Sequence, residues 1–111
     1  MDENDLLHSH LTELRRGSLT LAVLGSLKQP LYGYALLQEL QKVELEIEAN
    51  TLYPLLRRLE NQGLLTSTWR EGKGRQRKYY SISENGNGFL KTLLTEWRKL
   101  HEKLEFISGR V

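Results

Sequence analysis

The side chains with the greatest capacity for chemistry in this 111-residue sequence are cations, and they cluster. Five of the nine residues from 70 to 78 are Lys or Arg: Arg70, Lys73, Arg75, Arg77 and Lys78. Slightly upstream, in NTLYPLLRRLENQGLL, stand Arg57 and Arg58 beside Tyr53 and Pro54. A buried core has no use for that density of charge. Guanidinium and ammonium groups at such spacing suit phosphate oxygens, which accept charge-assisted hydrogen bonds from them. The competing reading is a solvated charged face. Catalysis is poorly served. The absence of cysteine removes disulfides, thiolate metal ligands and a cysteine nucleophile. The histidines are His8, His10 and His101, and the first two, being two apart, point to different sides of a helix. GKGRQRK has two glycines but neither phosphate-loop spacing nor a following helix, and no HExxH or GxSxG occurs. The sequence therefore argues against an enzyme, a bound metal or a cofactor.

The net charge of +2 hides an uneven distribution. Residues 1–48 carry eight acids and four bases, residues 49–83 two acids and seven bases, and residues 84–111 four acids and five bases. The basic middle is the one-dimensional form of a nucleic-acid-binding patch. No apolar run of about eighteen residues occurs, so no membrane span is expected. The acidic, polar opening MDENDLLHSH is unlike a signal peptide, and a cytoplasmic location is expected. The length suits one small domain, a size often completed by a partner.

Four helical segments and one hairpin must position these residues. The first helix is expected over 5–27, with Leu7, Leu11, Leu14, Ser18 and Leu21 along one face. From Leu19 onward apolar residues surround it, and Gly17 marks a bend or a close contact. KQPLYGY breaks the pattern. A second helix over 33–43 takes its apolar contacts from Tyr34, Leu36, Leu37 and Leu40. A short extended piece, ELEIEAN, leads to the third helix. There Leu52, Leu55, Leu56 and Leu59 form a core arc, with Asn50, Tyr53, Pro54, Arg57, Arg58 and Asn61 on the other half. Gly63 suits the left-handed position just past its end. If Asn50 or Thr51 caps this helix, Pro54 falls in the first turn, where proline is tolerated; if the helix starts near Glu48, Pro54 must kink it. LLTSTW and RKYYSIS read as strands joined by the loop REGKGRQ. The last helix starts after Ser83 and Glu84. Its Leu90, Leu93, Trp97, Leu100, Leu104 and Ile107 follow the 3-4 spacing of a helix-pairing seam, widened by Phe89, Leu94 and Phe106. That face exceeds what its own domain can cover. A partner chain is favoured over folding back on the first helix.

The expected class is mainly α with a small β-hairpin (α+β), a winged helix-turn-helix with N- and C-terminal dimerisation helices. Residues 1–83 form the winged unit, its first helix contributing to the dimer, and residues 84–111 the dimerisation helix. Asn50, Thr51, Tyr53, Pro54 and Arg57 approach a DNA groove; Arg70, Lys73, Arg75, Arg77 and Lys78 serve phosphates from the wing. Tyr32 and Tyr34, at the start of the second helix, are lesser candidates for backbone contact, with Tyr34 expected rather in the core. Leu7, Leu11, Leu14, Leu90, Leu93, Trp97, Leu100 and Leu104 are the expected dimer residues. The rival reading is a winged helix used for protein docking or for non-specific nucleic-acid binding.

LYGYALLQEL, then ANTLYPLLRRLENQGLL, then a Gly- and Arg-rich wing ending in RKYYSIS, resembles the PadR family of transcriptional regulators over nearly the whole chain. The resemblance implies a homodimer that represses by occupying an operator, often at its own promoter. It implies dimerisation through one last helix, as in the short subfamily. One departure is Ala49-Asn50, where many members place a small residue or glycine before the threonine. Some short members sandwich flat aromatic drugs or dyes between tryptophans at the dimer centre. Trp97, in LTEWRKL, matches that position. Leu7, Leu11, Leu14 and Ser18 would line the other wall, and a ligand would favour a dimer whose reading helices are wrongly spaced.

Overall fold

The computed structural model describes residues 2–109. The single first helix expected from the leucine spacing is two. Helix α1 (Glu3–Arg16) is capped by Asp2, whose Oδ1 accepts from the Asp5 N–H at 2.8 Å, and stops at Gly17. Helix α2 (Leu19–Ser26) follows Ser18. Two weak helix formers in succession, Gly17 and Ser18, separate segments with different tasks. Helix α1 buries none of its residues, whereas α2 places Val23 and Leu24 in the core, followed by Leu27.

After Pro30 comes a strand that the sequence pattern did not announce, β1 (Leu31–Tyr32). Helix α3 (Gly33–Lys42) then buries Gly33, Leu36 and Leu40. Tyr34 is exposed, not part of the core. It lies about 200° around the helix from Leu36, which puts it on the opposite face. The ELEIEAN linker forms no strand, but Ile47 anchors it in the core.

Helix α4 (Ala49–Asn61) is capped by Glu48, so neither Asn50 nor Thr51 is the cap. Pro54 is its sixth residue, in the second turn. With no N–H at Pro54, the Asn50 carbonyl loses its helical donor, at a residue that is itself exposed. The expected leucine arc holds: Leu52, Leu55, Leu56 and Leu59 are all buried. At the other end Gly63 adopts φ 77°, and Leu64 N–H bonds Leu59 O while Gly63 N–H bonds Glu60 O. That pair of bonds satisfies the last carbonyls and turns the chain into the hairpin.

Strands β2 (Leu65–Gly72) and β3 (Arg75–Ile82) pair antiparallel along their whole length, from Leu65↔Ile82 to Gly72↔Arg75. The loop is therefore two residues, Lys73 and Gly74, both with positive φ, and not the seven of REGKGRQ. Their geometry matches the twist of a tight hairpin. The sheet order is β1-β3-β2, with β1 covering only Tyr79 and Tyr80 of β3. Helix α5 (Glu84–Ile107) is capped by Ser83, whose hydroxyl accepts from Gly86 N–H at 2.9 Å and donates to Gly63 O at 2.7 Å.

One core gathers α2, α3, α4, the inner face of the hairpin and the start of α5. Leu90 is 4% exposed inside it, with Leu94 packed alongside. Leu90 is therefore taken up by its own subunit and is not offered to a partner, because the first turns of α5 lie on α2. The later part of the same stripe stays open: Trp97, Leu100, Leu104, Phe106 and Ile107 are all exposed. Among the described residues no helix is long and apolar enough to cross a membrane.

Candidate nucleic-acid interface

The cations of the hairpin are sorted by the strand period. Residues directly opposite in an antiparallel pair share a face. Arg70↔Arg77, Gly72↔Arg75 and Thr68↔Tyr79 therefore set Arg70, Arg75 and Arg77 on one face, joined by Tyr32 through Tyr32↔Tyr79. On that face the guanidinium of Arg70 lies 4.8 Å from the Tyr79 ring centre and that of Arg77 4.5 Å from the Tyr32 ring centre. The two rings meet edge to face at 5.4 Å. Opposed like charges destabilise a strand pair; here the aromatic faces offset part of that repulsion. A phosphate would offset the rest. Lys73 stands in the turn, at the tip.

Lys78 belongs to the other face, with Ser67, Trp69 and Tyr80. Its ammonium lies 2.9 Å from Glu60 Oε1 at the end of α4 and 5.1 Å from the Tyr80 ring centre. The second Glu60 oxygen accepts from the Ser67 hydroxyl. The Ser67 hydroxyl and then Lys78 hold the Glu60 carboxyl below its ordinary pKa, against the opposing effect of burial. Glu60 correspondingly holds Lys78 above its ordinary value. One carboxylate thus ties both strands of the hairpin to α4. Of the five hairpin cations picked out by charge density, Lys78 is the one held in an ion pair among the described residues. Among the described residues, Arg57, Arg58, Arg70, Lys73, Arg75 and Arg77 form no ion pair.

On α4, Asn50, Pro54, Arg57 and Arg58 are exposed on the half away from the leucine arc, and Thr51 is exposed at the edge of that arc. Tyr53 is half-buried, its ring laid on the backbone of Gly33. A groove of about 540 Å³ runs between α3, α4 and the hairpin. It brings Tyr53 and Tyr32 together with Arg75, Arg77 and Lys78. Tyr34, a lesser candidate expected chiefly in the core, also lines it, as do Trp69 and Gln76, two residues that charge and helix arcs did not select. The usable signal was in LLTSTW: a large aromatic on a strand beside the cations of the hairpin. Thr51 is placed elsewhere, in a recess of about 450 Å³ beside Arg15, Arg16 and Glu48. At the far end of the molecule Trp97 is 45% exposed and stacks on His101, ring centres 5.3 Å apart and planes 9° apart. His101 also pairs with Glu105. Among the described residues no group of three metal-ligating side chains occurs.

The chain is similar to known proteins over these same elements. The model of the transcriptional regulator PadR-like family matches residues 20–92, from α2 into α5. A transcriptional regulator of Mycobacterium tuberculosis is 35% identical over 90% of this chain and 92% of that protein. The crystal structure of a PadR family transcriptional regulator from Eggerthella lenta is 42% identical, covers 97% of this chain and 96% of that one, and superposes with a TM-score of 0.93. Bacillus subtilis PadR, solved in complex with operator DNA, is 26% identical over 68% of this chain and 45% of that one, with a TM-score of 0.62. With a helix-turn-helix, a cationic wing and a family match across two thirds of its length, the chain belongs to the PadR-like family of transcriptional regulators, which are not enzymes.

Proposed function

We propose that this regulator binds double-stranded DNA sequence-specifically as a homodimer, represses by occupying its operator, and is released by a small flat aromatic ligand. The observation that carries the reading is the shared groove: Tyr53 of α4 and Arg75, Arg77 and Lys78 of the hairpin line one surface. The outer face of α4 enters the major groove through Asn50, Tyr53, Pro54 and Arg57, and Thr51 lies toward its start. Arg70, Lys73, Arg75 and Arg77 meet phosphates, Lys78 stiffens the wing behind them, and Tyr32 seats Arg77. That Bacillus subtilis PadR is solved in complex with operator DNA supports DNA as the partner.

Dimerisation is supported by two open apolar faces. On α5 these are Trp97, Leu100, Leu104 and Phe106, the last 84% exposed, with Leu93 half-buried at the head of the stripe. On α1 they are Leu7 and Leu14, the latter 70% exposed, with Leu11 half-buried between them. Together they form an isologous interface. The ligand lies against Trp97, with Leu11, Leu14 and Ser18 as the opposite wall. His101 already covers one face of the indole, so the ligand stacks on the other.

A titration against the duplex from the protein's own promoter, beside a scrambled duplex and at two salt concentrations, tests the reading. If each subunit neutralises about three phosphates, the log–log salt slope is roughly −5. Tight binding that prefers the promoter sequence is expected. Equal, weak binding to both duplexes would mean a non-specific binder, and no binding a protein-docking module.

A further inference from the structure

Three aromatic side chains in the groove do more than the cations require. Trp69 is 64% exposed on the α4-facing side of β2, and Tyr34 is 55% exposed in the first turn of α3. Tyr53 lies with them, seated on Gly33. Exposed aromatics of this size each leave a large apolar surface in water, which a ligand can remove. The same groove carries Arg75, Arg77 and Lys78, the last paired with Glu60 behind it, and among the described residues no carboxylate lines it. The α1 recess differs, since Glu46 and Glu48 oppose its two arginines. Aromatic faces interleaved with cations, without acids, complement a polymer that alternates apolar rings with anions. A deoxyribose-phosphate strand is such a polymer. Beyond Tyr32 the edge of β3 has no partner strand, so the channel is open at the residues 75–78 that carry its cations.

We propose that Trp69 and Tyr34, with Tyr53, form the apolar floor of a channel that seats one deoxyribose-phosphate strand of the duplex between α4 and the wing. This rests on the DNA-binding reading above and adds residues to it. The rings pack on sugars while Arg75 and Arg77 take the flanking phosphates. Because sugars carry no sequence, the channel raises affinity for any duplex and fixes how far apart α4 and the wing stand on it.

The test titrates Trp69→Ala, Tyr34→Ala and Trp69→Phe against the promoter duplex and a scrambled duplex over a salt series, with Arg75→Ala as the ionic comparator. The two alanine variants are expected to lose about tenfold on both duplexes, the worth of one well-packed aromatic contact. Their salt slopes stay at the unsubstituted value, since no ion is released by an apolar contact, whereas Arg75→Ala, made in both subunits, makes the slope shallower by about two. Trp69→Phe retains most of the affinity, which a folding defect would not allow, and unchanged far-UV circular dichroism checks the alanine variants. Alanine variants that bind as tightly as the unsubstituted protein would overturn the channel, as would a loss confined to the promoter duplex, the mark of base reading. An unsubstituted protein that binds neither duplex would instead overturn the DNA-binding reading itself.

Discussion

Tyr53 owes its position to the smallness of Gly33. A Cβ built on Gly33 would overlap the tyrosine ring at Cε1 and stand 3.0 Å from Cδ1 and Cζ. Gly33 is required there for close approach between the start of α3 and the middle of α4, since among the described residues its φ is not one of the positive ones. Replacing Gly33 by Ala should push the ring out of its seat while the helix gains a better helix former, an effect of up to about 1 kcal/mol in the other direction. The fold should therefore survive, and promoter affinity should fall about tenfold, as for loss of one oriented contact. A double-mutant cycle decides the cause. In a Tyr53→Ala background the Gly33→Ala change should cost nothing further. Full additivity of the two losses would mean that Gly33 acts on binding without Tyr53, and promoter affinity equal to the unsubstituted protein would remove the seat from the reading surface.

At the scale of elements, the contact that sets the wing against α4 is Glu60 with Lys78 and Ser67. Among the described residues the other ion pairs each join residues of a single helix, so this one alone links two elements. Glu60 has a lowered folded pKa, so its contribution is fully present above the unfolded value and is lost as pH falls through the folded one. Lys78 is raised, so its contribution is present below its unfolded value and is lost as pH climbs through the folded one. The tie is therefore intact across neutral pH and loosens only in acid or strong alkali. Glu60→Gln should lower stability by about 1 kcal/mol near pH 7 and flatten the acid limb of the stability curve, read by denaturant melts from pH 3 to 7. A variant whose acid limb matches the unsubstituted protein would mean that other carboxylates carry it. The sequence made α4 legible, because four leucines at helical spacing leave one core arc, and Ser83 announced α5 with its own side chain. The hairpin was less legible. Arg, Glu and Gln are weak strand signals, so REG and RQ resembled loop, and a Lys-Gly turn lacks the Asn-Gly signature of its type. The start of α4 was hidden because Glu48 caps through its backbone, with no side-chain bond to mark it. Strand β1 is two residues long, too short to show a period.

For the whole molecule, the question is what covers α1 and the end of α5. In one subunit, α5 spends its first turns on α2 and then leaves the core, so the leucine stripe serves two purposes along one helix. Spacing could not divide them, since Leu90 and Leu104 have the same place in the 3-4 pattern and differ only in what lies opposite. The division makes a clean test possible. Leu100 is exposed in the single chain, so Leu100→Glu leaves the subunit core untouched and a folded monomer is expected. In an isologous dimer the substitution is made on both sides, and two carboxylates enter an apolar interface at an uncompensated cost. Sedimentation at micromolar concentration should show a monomer with unchanged far-UV circular dichroism. Promoter affinity should then fall by about a hundredfold or more, since the second half-site no longer binds as an intramolecular event. The salt slope should shrink from roughly −5 to roughly −2.7, because one subunit neutralises about three phosphates and two neutralise about six. The slope separates the explanations: an unfolded variant has no measurable slope on the promoter, a monomer has half, and a dimer that survives the charge keeps the full value. The last result would move the interface away from Leu100 and leave the exposed end of α5 without the role proposed for it.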